Sequence, residues 1–265
     1  MLLFSSGKSL DVYKQCTRNK KIYLLGDSTT RHWFQHFFMK RFDCVIITEN
    51  WHKEKWHKPA TCYSKKTNMT VGWFPHSQPF SVMGDENSYT TFSIARRLDN
   101  IGSREQALVV IGMFLHVVPY HHNVYKMKMT IIRASVEALL ARNPTIQILI
   151  KGPHSYVDTP SGNLRLNDWY GYVFTNILYD VFKGLHDRVI FLNNMDTTDA
   201  MRTRWNHPPP TMVETMGEQM LAYVCWFLIM YNNDICTYQK SPLFNKGHHN
   251  LNTILHRHNS LFSKL

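Results

Sequence analysis

A serine directly after a predicted strand is the first residue whose type and position could do chemistry. Residues 22–25 are an apolar run typical of a short buried strand. Gly26-Asp27-Ser28 follows at once, and residues 32–41 contain neither Pro nor Gly, which indicates a helix. A serine at a strand-to-helix turn presents its hydroxyl beside the unpaired N–H groups of the helix. Ser28 could therefore be a nucleophile whose attack creates an oxyanion. The alternative is that Asp27 and Ser28 only cap the helix.

A histidine late in the chain could supply the base that such a serine needs. His207 follows the polar segment 193–199 and precedes the predicted final helix. From the end of a neighbouring strand it could accept the proton of Ser28 and return it to a leaving alkoxide. In a chain with 15 histidines, a loop histidine is commonly a surface residue. The order of an early serine after the first strand and a late histidine before the last helix favours the catalytic interpretation.

The elements that must position these residues alternate between strands and helices. Strands are predicted at 22–25, 44–48, 69–74, 107–112, 146–150 and 189–192, and residues 50–66 are predicted to be a surface excursion. Helices are predicted at 32–41, 125–142, 168–183 and 214–231. Several strands are unbroken apolar runs, which predicts an α/β fold whose mainly parallel sheet has helices on both faces. The carboxyl ends of such strands form the usual site, where we expect Ser28, His116, His154 and the 193–207 segment.

Composition bounds the class of protein. The chain of 265 residues is 44% hydrophobic, enough for one domain, and has no apolar run of about 18 residues that would predict a transmembrane helix. The net charge of +11 is dispersed and lacks a stacking-aromatic motif, so a solvated basic surface is favoured over nucleic-acid binding. The five cysteines allow disulfides but form no C-x-x-C pair, and neither a metal site nor a cofactor is predicted. Asn68 begins a glycosylation sequon.

A series of short motifs runs in a defined order through residues 16–225. They are Gly-Asp-Ser-Thr-Thr-Arg-His-Trp at 26–33, Trp-Phe-Pro-His-Ser-Gln-Pro-Phe at 73–80, Val-Val-Ile at 109–111 with His116 and Pro119, Asn-Pro at 143–144, Ile-Leu-Ile-Lys at 148–151, Gly-Tyr at 171–172, Asp-Thr-Thr at 196–198, His-Pro-Pro at 207–209, Gly217, and Leu-Ala-Tyr-Val-Cys at 221–225. This order resembles the SGNH/GDSL hydrolase superfamily in its PC-esterase branch. It is most similar to the C-terminal domain of the neurexophilin and PC-esterase (NXPE) family.

The resemblance implies a fold, an activity and a location. The fold would be a three-layer α/β/α SGNH-hydrolase-like arrangement, and the chemistry would be hydrolysis or transfer of acyl, mostly acetyl, esters on carbohydrate hydroxyls. Members are usually secreted or secretory-pathway glycoproteins, although residues 1–8 do not form a convincing signal peptide. The domain itself is predicted at 16–231, between an N-terminal extension at 1–15 and a polar tail at 232–265.

One departure from the family pattern concerns the acid that orients the histidine. PC-esterase members often place an acid three residues before the histidine, whereas Arg204 occupies that position here. Arginine cannot hold an imidazolium by charge. Asp196 or Asp199 could orient His207 instead, or Ser28 and His207 could act as a dyad with a backbone acceptor. Loss of the orienting acid costs about 10⁴ in rate in a serine protease.

The remaining candidate residues concern the oxyanion and the substrate. The Ser28 N–H is the natural oxyanion donor, and its neighbours Gly26, Asp27 and Thr29 are expected to contribute to or support the oxyanion site. Gly72, Gly84 or Gly112 could offer a second N–H. Each of those last three glycines could equally be a turn former. His116 matches a family histidine but could be a core residue. Arg31 could contact an anionic substrate group or lie on the exposed side of the first helix.

Two hypotheses of function follow. In the first, favoured by the intact Gly-Asp-Ser and His-Pro-Pro motifs, the protein is an acyl (acetyl) esterase or O-acetyltransferase. Its substrate would be a glycan or glycoprotein, anionic if Arg31 contacts it. Ser28 would be the nucleophile and His207 the base, and a transferase would also need an acetyl donor. In the second, favoured by Arg204, the chain is an inactive relative that binds a glycan or a protein.

Overall fold

The computed structural model describes residues 10–49, 58–76, 92–156, 168–202 and 205–225. The strands are β1 (Lys21–Gly26), β2 (Val45–Ile46), β3 (Ala60–Ser64), β4 (Met69–Pro75), β5 (Ala107–Gly112), β6 (Gln147–His154) and β7 (Val189–Asn193). The helices are α1 (Leu10–Cys16), α2 (Ser28–His32), α3 (Met39–Arg41), α4 (Ile94–Asp99), α5 (His122–Arg142), α6 (Asp168–Val181), α7 (Asn194–Ala200) and α8 (Pro210–Val224). A π-helical segment, Trp33–Phe38, joins α2 to α3, and a short 3-10 helix, Leu115–Val117, follows β5.

The seven strands form one sheet in the order β2-β3-β4-β1-β5-β6-β7. β4, β1, β5, β6 and β7 are parallel, whereas β2 and β3 pair in antiparallel fashion at one edge. β1 lies between β4 and β5, and its last residue, Gly26, is level with Pro75 and Gly112. The predicted α/β fold with a mainly parallel sheet is therefore confirmed, and the serine follows the central strand.

Helices cover both faces of the sheet. All six residues of β5 are buried, and Val109 and Ile111 belong to a hydrophobic core shared with α4, α5 and α6. Successive side chains of a strand point to opposite faces, so Val110 packs on the other side. There α8 lies against the π-helical segment so closely that a Cβ on Gly217 would meet the ring of Phe37 at 2.5 Å. The three-layer arrangement explains why the strands are unbroken apolar runs.

Several elements differ from the prediction, and two of them, α1 and α4, lie in segments for which no helix was predicted. β3 lies inside the segment predicted to be a surface excursion, and its Thr61 and Tyr63 alternate with buried small residues. α7 is a polar helix in the predicted loop after β7, started by the Asn193 side chain, which accepts from the Met195 N–H at 3.2 Å. α8 begins at Pro210, four residues before the predicted start, since Pro is well suited to a first helical position.

The described residues up to Val224 belong to one compact unit, and from the second unit, Cys225–Leu265, only Cys225 is described. The boundary predicted after residue 15 falls within α1, of which Tyr13 and Cys16 are buried. The tail predicted at 232–265 lies outside the described residues. A disulfide joins Cys44 to Cys62. Among the described helices, none is long and apolar enough to cross a membrane.

Candidate functional site

The turn between β1 and α2 is held against the end of β5. Gly26 has a φ of 155°, and a Cβ at this position would lie 1.7 Å from the carbonyl oxygen of Gly112. The same oxygen accepts hydrogen bonds from the Asp27 N–H at 3.1 Å and from the Thr30 hydroxyl at 2.8 Å. Only glycine at position 26 allows the two strand ends to approach this closely while the chain turns into the helix.

Gly26→Ala is expected to destabilise the fold by more than about 3 kcal/mol, because backbone strain and a clash with a backbone carbonyl act together. Gly102→Ala is the matched control, since nothing lies within 4 Å of the Cβ it would add. Urea unfolding of the two variants beside the parent chain measures the effect. A parent-like midpoint for Gly26→Ala would contradict the close approach of β1 and β5.

Asp27 is buried beneath this turn, and its carboxylate accepts four hydrogen bonds. Oδ1 accepts from the Thr29 N–H at 3.0 Å and from the Thr29 hydroxyl at 2.7 Å. Oδ2 accepts from the N–H groups of Phe114 and Leu115, at 2.9 and 3.2 Å, in the loop after β5. Asp27 is thus the cap of α2, as one interpretation of the sequence predicted, and it also ties the loop after β5 to the turn. Ser28 is left for a different contact.

Charge compensation for Asp27 comes from inside the protein. Burial by itself raises the pKa of Asp27, but the charges of His116 and Lys151, with the hydrogen bonds from Phe114 and Thr29, outweigh it and hold the pKa well below its usual range. Lys151 is only 3% exposed and donates to the Thr29 hydroxyl at 2.9 Å. Burial lowers the pKa of Lys151 to about 8, although the Asp27 charge opposes that shift. The Thr29 hydroxyl therefore links the buried Asp27 carboxylate to the buried Lys151 ammonium group beneath the turn.

Ser28 and His207 meet at the carboxyl edge of the sheet. Ser28 Oγ lies 2.7 Å from His207 Nε2, the spacing expected of a nucleophile and its base. As the first residue of α2, Ser28 has an N–H with no acceptor in the helix, and it has none elsewhere in the described part of the chain. A serine hydroxyl, an imidazole and a free N–H at a helix start can together perform nucleophilic acyl transfer with a stabilised oxyanion.

The His207 ring is held against a second histidine. His32 lies in α2, and its ring centroid is 4.7 Å from that of His207, with the planes 30° apart. His207 is accessible from solvent on one side, yet the protein packed around it lowers its pKa, and the charges of Arg31, His116 and Lys151 act in the same direction while Asp27 opposes them. A lowered pKa keeps His207 neutral near pH 7, as a general base requires.

The loop that carries His207 is tied to the end of β6. His154 Nε2 lies 3.0 Å from the carbonyl oxygen of Asn206, the residue before His207. His154 itself is fully buried, and its backbone forms an isolated parallel bridge with Asn194. Ser28, His116, His154 and His207, all expected at one edge of the sheet, do lie at its carboxyl end.

Sequence reasoning assigned no role to three residues at this edge. His32 follows Ser28 by four residues, the spacing that places two side chains on the same face of a helix. Lys151 ends an apolar strand run, where a lysine is rarely buried unless it is paired. His76, after β4, approaches His116 with 2.8 Å between Nε2 and Nδ1. The spacing of His32 and the position of Lys151 could have been recognised in the sequence. The contact between His76 and His116 could not, because it depends on the tertiary structure.

The two aspartates predicted to orient His207 lie elsewhere. Asp196 and Asp199 are exposed on α7, and the Tyr172 hydroxyl donates to Asp199 at 3.5 Å. Neither carboxylate makes a hydrogen bond or ion pair with His207 among the described residues. The negative charges of Asp199 and, to a smaller extent, Asp196 raise the pKa of Tyr172 in α6. The expectation of an acid from this segment is therefore not met, and Arg204 lies outside the described residues.

The remaining candidates for oxyanion and substrate contacts lie at different distances from the carboxyl end of the sheet. Gly72 pairs with Tyr23 in the middle of β4, three residues before the edge, so it does not reach the site as a second oxyanion donor. Gly112 is the last residue of β5, and its carbonyl oxygen accepts hydrogen bonds from the Asp27 N–H and the Thr30 hydroxyl in the turn. Arg31 is half-buried rather than exposed, and its guanidinium lies 5.7 Å from the centroid of the Trp73 ring. Gly84 lies outside the described residues.

Two further predictions concern modification and metals. Asn68 is exposed in the turn between β3 and β4, where its side chain contacts Tyr63 and Asn19. That exposure would admit a glycan, and modification itself stays a prediction. Within the described ranges, no group of three or more His, Cys, Asp or Glu side chains is arranged to hold a metal ion.

Comparison with known proteins adds a family and several similar structures. Residues 3–225 match the family described as "NXPE family member 4-like, C-terminal domain". Est24, a carbohydrate acetylesterase from Sinorhizobium meliloti, is 14% identical, with 78% of this chain and 99% of that chain covered and a TM-score of 0.45. A putative GDSL-like lipase from Parabacteroides merdae is 10% identical over 79% and 97%, with a TM-score of 0.46. A peptidoglycan O-acetylesterase is 9% identical over 85% and 98%, also with a TM-score of 0.46.

Proposed function

The chain belongs to the NXPE family, as a C-terminal domain of the member-4-like type, and on this premise we propose that it is a serine-dependent acyl esterase or O-acyltransferase acting on glycan hydroxyls. The observation that carries the proposal is the 2.7 Å contact between Ser28 Oγ and His207 Nε2 at the start of α2. Ser28 is the nucleophile and His207 the base. The acyl group is acetyl, and a transferase would take it from a separate donor.

The proposed reaction has two acyl-transfer steps. His207 Nε2 takes the Ser28 proton as Oγ attacks the acyl carbonyl carbon, and the negative charge that forms on the carbonyl oxygen is stabilised by the Ser28 N–H. The tetrahedral intermediate collapses, the ester oxygen leaves with the proton from His207, and Ser28 is acylated. Water or a sugar hydroxyl then attacks the acyl-serine while His207 again takes and returns one proton. Water gives hydrolysis, and a sugar hydroxyl gives transfer.

The electrostatics of the site favour the charge that develops in these steps. Lys151 and Arg31 both lie close enough to His207 for their charges to lower its pKa. Positive charge held near a developing oxyanion stabilises it, and the effect is stronger in a partly desolvated site than in water. The same field would favour an anionic glycan, consistent with the contact expected of Arg31.

The test is covalent labelling of the intact protein by a fluorophosphonate, beside Ser28→Ala. We expect stoichiometric labelling of the parent chain, an adduct mapped to Ser28 by peptide mass spectrometry, and no adduct in Ser28→Ala. Turnover of p-nitrophenyl acetate should follow the same pattern. Thr30→Ser serves as a control for changes in the turn, since it keeps the hydroxyl bonded to Gly112. Equal labelling of the parent and Ser28→Ala would overturn the assignment of the nucleophile.

A second candidate function has its own supporting observation. No carboxylate among the described residues bonds to His207, and Arg204 replaces the acid of the family pattern, so the same edge could bind a glycan without turning it over. A binding module would leave the fluorophosphonate unreacted and would retain glycan-array binding in Ser28→Ala. An enzyme would label, and Arg204→Asp would then increase its labelling rate if a missing acid limits it.

The proposed location is the secretory pathway or the extracellular space. The disulfide between Cys44 and Cys62 is a feature that persists in oxidising compartments. The exposed Asn68 is the acceptor that such a route would glycosylate.

A further inference from the structure

His154 is a buried polar residue that packing alone does not explain. It is 0% exposed, and its ring lies edge-on to Phe114, with the centroids 5.0 Å apart, and 6.2 Å from Tyr156. A phenylalanine would suit these aromatic surroundings. Nδ1 of His154 has no hydrogen-bond partner among the described residues, and leaving a buried acceptor unpaired opposes folding. Among the described residues, the one polar contact of the His154 side chain is with the Asn206 carbonyl oxygen, in the loop of His207.

The direction of that contact defines the state of the ring. The carbonyl oxygen of Asn206 can only accept, so His154 Nε2 carries a proton and donates across 3.0 Å. Burial lowers the pKa of His154 to about 3, and the charges of Lys151 and His207 act in the same direction. The ring is therefore neutral, with one N–H, and it acts as a fixed donor rather than as a base.

The His154 N–H donates to the peptide group directly before His207, so it can influence the position of His207. Asn206 directly precedes His207, and fixing its carbonyl restricts the peptide plane from which His207 extends toward Ser28. The His32 ring also packs against the His207 ring and restricts it, with 4.7 Å between the ring centroids. A base that is misplaced by about 1 Å can cost about 10²-fold in rate. The carboxylate that usually orients such a histidine is absent from the described contacts of His207.

We propose that His154 is a positioning residue. Through the backbone of Asn206 it keeps His207 within hydrogen-bonding distance of Ser28, the orienting role that a carboxylate fills in a triad. This inference rests on the proposed function for its effect on rate. The constraint that His154 places on the His207 ring exists whether or not the protein turns over a substrate. A measurement on the ring can therefore test the role of His154 separately from the proposed enzymatic activity.

The matched variants are His154→Gln and His154→Asn. The Gln amide nitrogen reaches the place of imidazole Nε2 and can still donate to the Asn206 carbonyl, whereas the Asn amide is too short. We expect fluorophosphonate labelling of Ser28 to fall about 10²-fold in His154→Asn and in His154→Phe, and to stay within about threefold of the parent in His154→Gln. His186→Phe, at an exposed histidine, is the control. Thermal unfolding identifies any variant that does not fold.

A second readout is independent of activity. In protein labelled with ¹⁵N-histidine at pH 7.5, the two ring nitrogens of His207, assigned with His207→Ala, should give the separated shifts of one neutral tautomer. His154→Asn should bring them toward tautomer averaging, and His154→Gln should restore the separation. Unchanged His207 shifts in all His154 variants would overturn the proposal, as would equal labelling rates for the Gln and Asn variants. Failure of the parent chain to label would instead contradict the proposed function, and the ¹⁵N shifts would still decide the role of His154.

Discussion

His207→Ala is expected to slow labelling of Ser28 by about 10²- to 10⁴-fold while leaving the unfolding midpoint close to that of the parent chain. The magnitude is that of a general base in acyl transfer, and His207 is the group in contact with the Ser28 hydroxyl, at 2.7 Å. Stability should change little because His207 is solvent-accessible and lies in a loop. The measurement is the second-order rate constant of fluorophosphonate labelling, followed by intact-protein mass spectrometry.

The pH dependence of the labelling rate gives a second test of the role of His207. The protein packed around one side of His207 lowers its pKa, so the neutral base persists to lower pH than for a free histidine, and the rate should be level near pH 7. On acidification the rate should fall with a midpoint below 6.5, the ordinary value. His207→Ala should lose that acid limb, and His121→Ala, at an exposed histidine, should keep it. A midpoint above 6.5, or an unchanged limb in His207→Ala, would contradict the role of His207.

Asp27→Asn is expected to lower the free energy of unfolding by about 3–5 kcal/mol, the range found when one partner of a buried ion pair is removed. The Asn amide can accept on one side only, so its NH₂ group would face either the two loop N–H groups or the Thr29 donors. Lys151 would also lose the nearby charge that opposes its desolvation. Urea unfolding at pH 7 measures the loss, with Asp187→Asn on the exposed surface as the control.

The loss should depend on pH in a defined direction. The folded pKa of Asp27 is lowered well below its ordinary value of 3.8, so the unfolded chain binds the proton first as pH falls. The stabilisation is therefore complete above 3.8 and decreases as pH falls toward the folded pKa. The difference between the parent and Asp27→Asn should shrink over that range. A difference that does not change with pH would show that packing, rather than charge, supplies the stability.

Lys151→Met completes a double-mutant cycle with Asp27→Asn. Removing both charges should cost less than the sum of the single losses, because neither charge is then left buried without its partner. Additive losses would mean that the two groups do not interact across the Thr29 hydroxyl. The cycle also bears on the position of Ser28, since Asp27 caps the helix that begins at Ser28.

Much of the fold could be predicted from the sequence because its signals are local. Long apolar runs predict β1, β5 and β6, and helical spacing predicts α5. The alternation of such strands and helices predicts a parallel sheet. β3 and α7 were missed because their stability comes from a partner strand and from an Asn cap rather than from their own apolar residues. The same reasoning could place Ser28 and His207 at one edge, since both follow strand ends.

The sequence by itself determined the parallel α/β architecture, the turn with glycine at 26, and the candidate pair of serine and histidine. These follow from short-range patterns and from the rule that strand ends share an edge. Only the tertiary structure decided the rest, because it depends on side chains far apart in the chain. It placed Asp196 and Asp199 on the exposed surface of α7, buried Lys151 near Asp27, and brought His154, 52 residues before Asn206, to the carbonyl that precedes His207. Contacts at such separations leave no periodicity in the sequence, and only packing brings them together.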